Sequence, residues 1–128
     1  MDREEIRIPP IVLEWSEWIP WPHLEVDARG ACGVRVPNRM PGVYEARYAD
    51  AEERLTIGRT SNLRWRIKQA LVKGIGPHSA GKKIRAAEDV ARIVVRWAPT
   101  DRPAAAEEEL HKRYLSKLGR LPKYTDHT

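Results

Sequence analysis

Apolar and polar residues alternate with period two in three stretches of this chain, and each stretch predicts a strand. Val43 to Tyr48 sets Tyr44, Ala46 and Tyr48 on one side and Val43, Glu45 and Arg47 on the other. A polar turn over Ala49 to Glu53 leads to a short strand from Arg54 to Gly58, so the two form a hairpin. Arg92 to Ala98 alternates again, with Ile93, Val95 and Trp97 facing one way. Nearer the start, Leu24, Val26 and Ala28 alternate with His23, Glu25 and Asp27. With the turn Arg29-Gly30-Ala31-Cys32-Gly33 and a returning strand from Val34 to Val36, they predict an N-terminal β-hairpin.

Elsewhere the period lengthens to that of a helix. Leu63, Ile67, Ala70 and Leu71 form a stripe over Leu63 to Lys73, entered through the capping material Thr60-Ser61-Asn62 and stopped at Lys73-Gly74. After the loop Gly74-Ile75-Gly76-Pro77, a short helix weakened by Gly81 runs to about Val90. Pro103, with Asp101 before it as a cap, opens a last helix to about Leu118. Residues 1–22 read as irregular, because Pro9, Pro10, Pro20 and Pro22 break any helix. The order predicts an α+β fold: a small antiparallel β-sheet, with a three-stranded core and the N-terminal hairpin as an extension, flanked by helices. Residues 1–40 form a Trp-rich arm with the hairpin, and residues 41–128 form the main unit.

Composition narrows the class. The 128 residues suit one domain. No apolar run approaches the ~20 residues that span a bilayer, and the acidic start (Asp2, Glu4, Glu5) does not read as a signal peptide. A cytoplasmic protein without a membrane partner is therefore expected. Cys32 is the one cysteine, which excludes an intramolecular disulfide and any Cys-based zinc cluster.

Charge is unevenly placed. Residues 1–40 carry a net −2 and residues 41–128 a net +7. Between Arg54 and Ala87 stand nine basic residues and no acidic one, a footprint suited either to phosphate backbones or to a plain solvated face. Trp15, Trp18 and Trp21, at three-residue spacing, suit a base-stacking platform or, more simply, a cover for a bare face of the domain.

The last helix holds Glu107-Glu108-Glu109. Glu108 has Lys112 and Glu109 has Arg113 four residues on, the favourable order for surface ion pairs. Glu107 instead shares the apolar stripe of Leu110, Tyr114 and Leu118. A carboxylate aimed inward costs several kcal/mol unless paired. A divalent cation or a structural arginine would supply the partner.

The hairpin and the following helix read Gly42-Val43-Tyr44, eleven residues, Thr56-Ile57-Gly58, and then Arg59-Thr60-Ser61-Asn62-Leu63-Arg64-Trp65-Arg66. Together with Glu107-Glu108-Glu109-Leu110 downstream, this strongly resembles the GIY-YIG nuclease family over about residues 41–125. The resemblance implies a GIY-YIG-like fold and a metal-dependent endonuclease. It makes Tyr44 the candidate to take a proton from the attacking water, Arg66 the arginine facing the scissile phosphate and Glu107 the ligand of a Mg²⁺ or Mn²⁺ ion. Arg59 falls where a polar or basic residue lies near the phosphate, His78 roughly where many members place a histidine, and Gly58 where the chain passes closely under the helix. Two positions depart from the pattern. Thr56 replaces the tyrosine of the second tripeptide, and Pro122-Lys123-Tyr124 is followed by Thr125 instead of asparagine.

The chemistry fits these roles. A metal on a carboxylate acts as Lewis acid and template, and a guanidinium forks onto two phosphate oxygens while staying charged. Tyrosine titrates near pH ~10 in water, so as a base it needs the metal or Arg66 to favour the phenolate. Arg64, Lys68, Lys73, Lys82, Lys83 and Arg85 are the expected contacts to the DNA backbone, which position the strand without reading sequence. Two other functions stay open at this stage. One is a catalytically silent nucleic-acid-binding module of the same fold; the other is a protein-interaction domain using the tryptophan-rich arm.

Overall fold

A computed structural model describes residues 4–25, 35–76 and 80–125. Its architecture is α+β, built on one antiparallel sheet. The elements run β1 (Ile19–Pro20), α1 (Trp21–Glu25), β2 (Gly42–Tyr48), β3 (Arg54–Thr60), a π-helix (Trp65–Val72), α2 (Ala80–Ala87), a 3₁₀ turn (Val90–Arg92), β4 (Ile93–Pro99) and α3 (Pro103–Leu118). The sheet order is β1-β4-β2-β3, so β2 lies inside and β3 is an edge. Tyr44 pairs across to Gly58 on one side and to Trp97 on the other. No helix among the described residues is long and apolar enough to cross a membrane.

Strand alternation sorts the side chains onto two faces. On one, Tyr44, Ala46, Ile93, Val95 and Trp97 meet Trp21, Leu24, Leu63, Ile67, Leu71 and Ile84 in the main core. On the other, Val43 and Ala98 meet Ala106 of α3, with Ile11, Leu13, Trp15 and Leu110 packed around them. The helix after the hairpin buries its expected stripe of Leu63, Ile67, Ala70 and Leu71. Its winding is π over Trp65–Val72, however, and Lys68 joins the buried side at 7% exposure. The wider turn carries the buried arc past the positions that an α-helical period of 3.6 would select.

Four expectations need correction. Leu24 belongs to α1 and not to a strand, while residues 26–34, which hold most of the expected hairpin, lie outside the described residues. The N-terminal arm reaches the sheet through β1 instead, a two-residue edge strand where Pro20 and its missing N–H are tolerated. The helix after the loop ends at Ala87, with the 3₁₀ turn taking the chain on to β4. Gly81 does not weaken it: a Cβ there would strike the Ala70 and Leu71 carbonyls, so the bare glycine is what lets α2 lie on the π-helix backbone. Finally, Arg102, not Asp101, holds the N-cap of α3, without a side-chain cap; Thr100 Oγ1 accepts from its backbone N–H at 3.1 Å.

The edge of β3 is covered, which protects a strand that would otherwise present unpaired backbone groups. Tyr114 Oη accepts from the Arg54 N–H at 3.0 Å, and His111 Nε2 lies 3.1 Å from the Ile57 carbonyl. The Tyr124 N–H donates to the Leu55 carbonyl at 2.8 Å. The C-terminal segment is fastened in turn by Glu88, which accepts from Tyr124 Oη at 2.6 Å, Lys123 Nζ at 2.7 Å and Tyr48 Oη at 2.8 Å.

Candidate active site

Tyr44, Thr56, Gly58, Arg59, Arg66, Glu107 and His111 line one recess at the β3 edge. Tyr44 comes from the face that packs on the π-helix, and Glu107 from α3 on the other face. Gly58 lets them meet. A Cβ at Gly58 would fall on the Tyr44 ring and hydroxyl, so the phenol crosses the strand through the space that glycine leaves. This corrects the expected reason for Gly58, since it is the phenol and not the helix that approaches so closely.

The recess has a volume of about 40 Å³. One water needs about 10–15 Å³, so it has room for about three or four water-sized ligands, such as a partly dehydrated ion with phosphoryl oxygens, but not for a base or sugar. Glu107 is 8% exposed, and Arg59 Nε lies 3.9 Å from its Oε1. Arg66 has its Nε buried without a hydrogen-bond partner, and its guanidinium carbon lies 5.9 Å from the Trp65 ring centroid. The Thr56 hydroxyl donates to the Tyr124 carbonyl at 3.0 Å, tying the C-terminal segment to the recess wall.

His111 was not singled out in the sequence. Its signal is the spacing: it stands four residues after Glu107, hence on the same side of α3. Since a carbonyl only accepts, the contact with Ile57 puts the proton on His111 Nε2. His78 lies outside the described residues.

Among the described residues, no three His, Cys, Asp or Glu side chains gather as a metal cluster. The recess offers one carboxylate, Glu107, and the Tyr44 hydroxyl. Mg²⁺ keeps several waters and takes one or two carboxylates plus substrate phosphates, so this donor set fits Mg²⁺ or Mn²⁺ arriving with a phosphate.

The expected backbone contacts divide. Lys73, Lys82 and Lys83 are exposed. Lys68 is buried and so leaves that set. Arg64 Nε donates to the Val36 carbonyl at 2.8 Å, and Arg85 NH1 to the Val72 carbonyl at 2.6 Å, so both are spent partly on holding the fold. The tryptophans cover sheet and core: Trp21 is fully buried, Trp15 packs beside Val43, and Trp18 lies 4.3 Å from the Arg47 guanidinium carbon.

A scan against protein-family models finds no match, and searches of curated proteins and of solved structures find none either.

Proposed function

We propose that this chain is a metal-dependent endonuclease of the GIY-YIG type that hydrolyses phosphodiester bonds in DNA. One observation carries the reading. Tyr44, Arg66 and Glu107, spread over about half of the chain and attached to different elements, line a single recess sized for an ion and phosphoryl oxygens. Glu107 would hold the Mg²⁺ or Mn²⁺ ion, which when bound supplies a Lewis acid at the phosphate. Arg66 and Arg59 face the same space and would stabilise the charge that grows on the phosphate during attack. Tyr44 Oη, set at the edge through the Gly58 gap, would take the proton from the attacking water.

A second reading, a silent nucleic-acid-binding module, is favoured by two details. Arg59 already neutralises Glu107 in part, and Thr56 turns its hydroxyl to Tyr124 where the resemblance calls for a second phenol. The deciding experiment incubates the protein with Mg²⁺, Mn²⁺ or EDTA on labelled single-stranded, duplex and forked DNA and on RNA. Cleavage that EDTA abolishes supports the nuclease. Salt-sensitive binding with no cleavage under any metal supports the silent module and overturns the nuclease.

Arg66→Ala separates the two roles further. It should lower the saturated cleavage rate by about 10²–10³-fold, the usual cost of a lost transition-state donor, and change affinity far less. Loss of binding with an intact saturated rate would remove Arg66 from the chemistry.

A further inference from the structure

The outer face of the sheet carries a second cluster of charge that the catalytic recess does not use. Arg47 on β2 stands directly across from Arg54 on β3, and Glu45 directly across from Arg96 on β4. Like charges facing each other across paired strands are destabilising, so the cluster needs compensation. Glu45, 4% exposed, supplies part of it: it accepts from Arg96 Nε at 2.7 Å and lies 3.4 Å from Arg54 Nε. Trp18 supplies another part, with its ring centroid 4.3, 4.5 and 5.1 Å from the guanidinium carbons of Arg47, Arg96 and Arg54.

Three guanidiniums still share one carboxylate. Arg47 has no carboxylate partner among the described residues; its NH1 donates to the Ala51 carbonyl at 2.9 Å. The buried Nε atoms of Arg47 and Arg54 make no hydrogen bond. Burial, with repulsion from Arg54 and Arg96, lowers the Arg47 pKa below its ordinary value, and the attraction of Glu45 and Glu52 offsets this only in part.

Beside this cluster is a cavity of about 260 Å³, lined by the cations Arg47, Arg54, Arg113 and Lys117 and by the carboxylates Glu45 and Glu52. Lys117 and Arg113 have carboxylates of their own, Glu52 at 3.8 Å and Glu109 at 3.0 Å. The excess charge therefore belongs to the arginines of the sheet. Ile57 lines both this cavity and the catalytic recess, so the two are neighbours along β3. Arg54 precedes Gly58 by four residues, about 13 Å at 3.3 Å per residue, too far for one phosphate to serve both.

We infer that this cavity binds a backbone phosphate of the nucleic-acid strand, beyond the phosphate held in the catalytic recess. Paired guanidiniums present forked donors that match phosphate oxygens, and the low-dielectric wall strengthens the contact. The identity of the strand rests on the nuclease reading; the binding of the anion does not.

The test follows arginine Nε–H and Trp18 indole signals by ¹⁵N-edited NMR while inorganic phosphate is added to the metal-free protein, with chloride at matched ionic strength as control. Arg47, Arg54 and Trp18 should shift saturably at millimolar phosphate, while the exposed Arg7 and Arg92 should not. Arg47→Gln should weaken the Arg54 response at least tenfold. Shifts no larger than those with chloride, or shifts spread evenly to Arg7 and Arg92, overturn the proposal and leave a structural cluster.

A second arm measures the salt dependence of binding to a labelled single-stranded oligonucleotide in a Glu107→Gln background. Arg47→Gln should reduce the slope by about one phosphate's worth. Phosphate binding with an unchanged oligonucleotide slope would make the cavity a site for the free anion and overturn the assignment to the strand. Neither arm reads cleavage, so failure here is distinct from failure of the nuclease reading.

Discussion

Glu107 and Glu108 are neighbours in sequence with opposite surroundings: the first is buried at the recess, the second exposed. Glu107→Gln removes charge with little change in volume, so it should abolish metal-dependent cleavage while the thermal midpoint holds. Glu109→Gln should shift stability by only about 0.2–0.5 kcal/mol, the worth of its exposed pair with Arg113; Glu108→Gln, whose expected pair with Lys112 does not form, should shift it less, and both should leave cleavage intact. Loss of activity on Glu108→Gln alone would move the metal ligand by one residue. Gly58→Ala should cost about 1–3 kcal/mol in denaturant unfolding, because the new methyl meets the Tyr44 ring. In a Tyr44→Ala background that cost should largely vanish, a coupling that a purely backbone effect would not produce. The inward aim of Glu107 was legible because helical spacing alone puts it on the stripe of Leu110 and Tyr114. The Gly58 gap was not, because it depends on the pairing of Tyr44 with Gly58 across two strands.

The elements illustrate what local pattern carries and what it omits. β2, β3, β4 and α3 were readable from alternation and stripe, whereas the π winding of Trp65–Val72 was not, since apolar spacing over two turns suits either pitch. The clasp at Glu88 was equally hidden, because its partners Tyr48, Lys123 and Tyr124 come from distant segments. The Lys123 ammonium and the Tyr124 and Tyr48 hydroxyls hold the Glu88 carboxyl well below its usual range, at about 2. A carboxyl more acidic in the folded chain than in the unfolded one stabilises fully above the ordinary value near ~4.3. That contribution, on the order of 2–3 kcal/mol, is lost as pH falls from about 4.5 towards 2. Urea unfolding at pH 5 and pH 2.5 should show this loss, and Glu88→Gln should remove most of the difference. An unchanged pH dependence in the variant would assign acid sensitivity to other carboxylates.

Across the whole molecule, the basic run from Arg54 to Ala87 overstated the cationic surface. Sequence order counts every Lys and Arg, but folding buries Lys68 and ties Arg64 and Arg85 to carbonyls. Lys82 and Lys83 remain exposed on α2. Neutralising both should lower the slope of log affinity against log salt by up to about two and weaken binding to all sequences alike. The saturated cleavage rate should stay nearly unchanged, and a normal salt slope would reduce the run to a solvated face. The arm has a different consequence, one of timing. The Ser16 N–H donates to the Trp97 carbonyl at 2.8 Å, and Ser16 Oγ accepts from the Trp97 N–H at 3.0 Å across 81 residues of chain. At a synthesis rate of about 5–20 residues per second, Ser16 leaves the ribosomal peptidyl centre about 4–16 s before Trp97 exists to receive it. For that interval Ile11, Leu13 and Trp15 lack Ala98 of β4 and Ala106 of α3, so this early segment finds its place only after later elements exist.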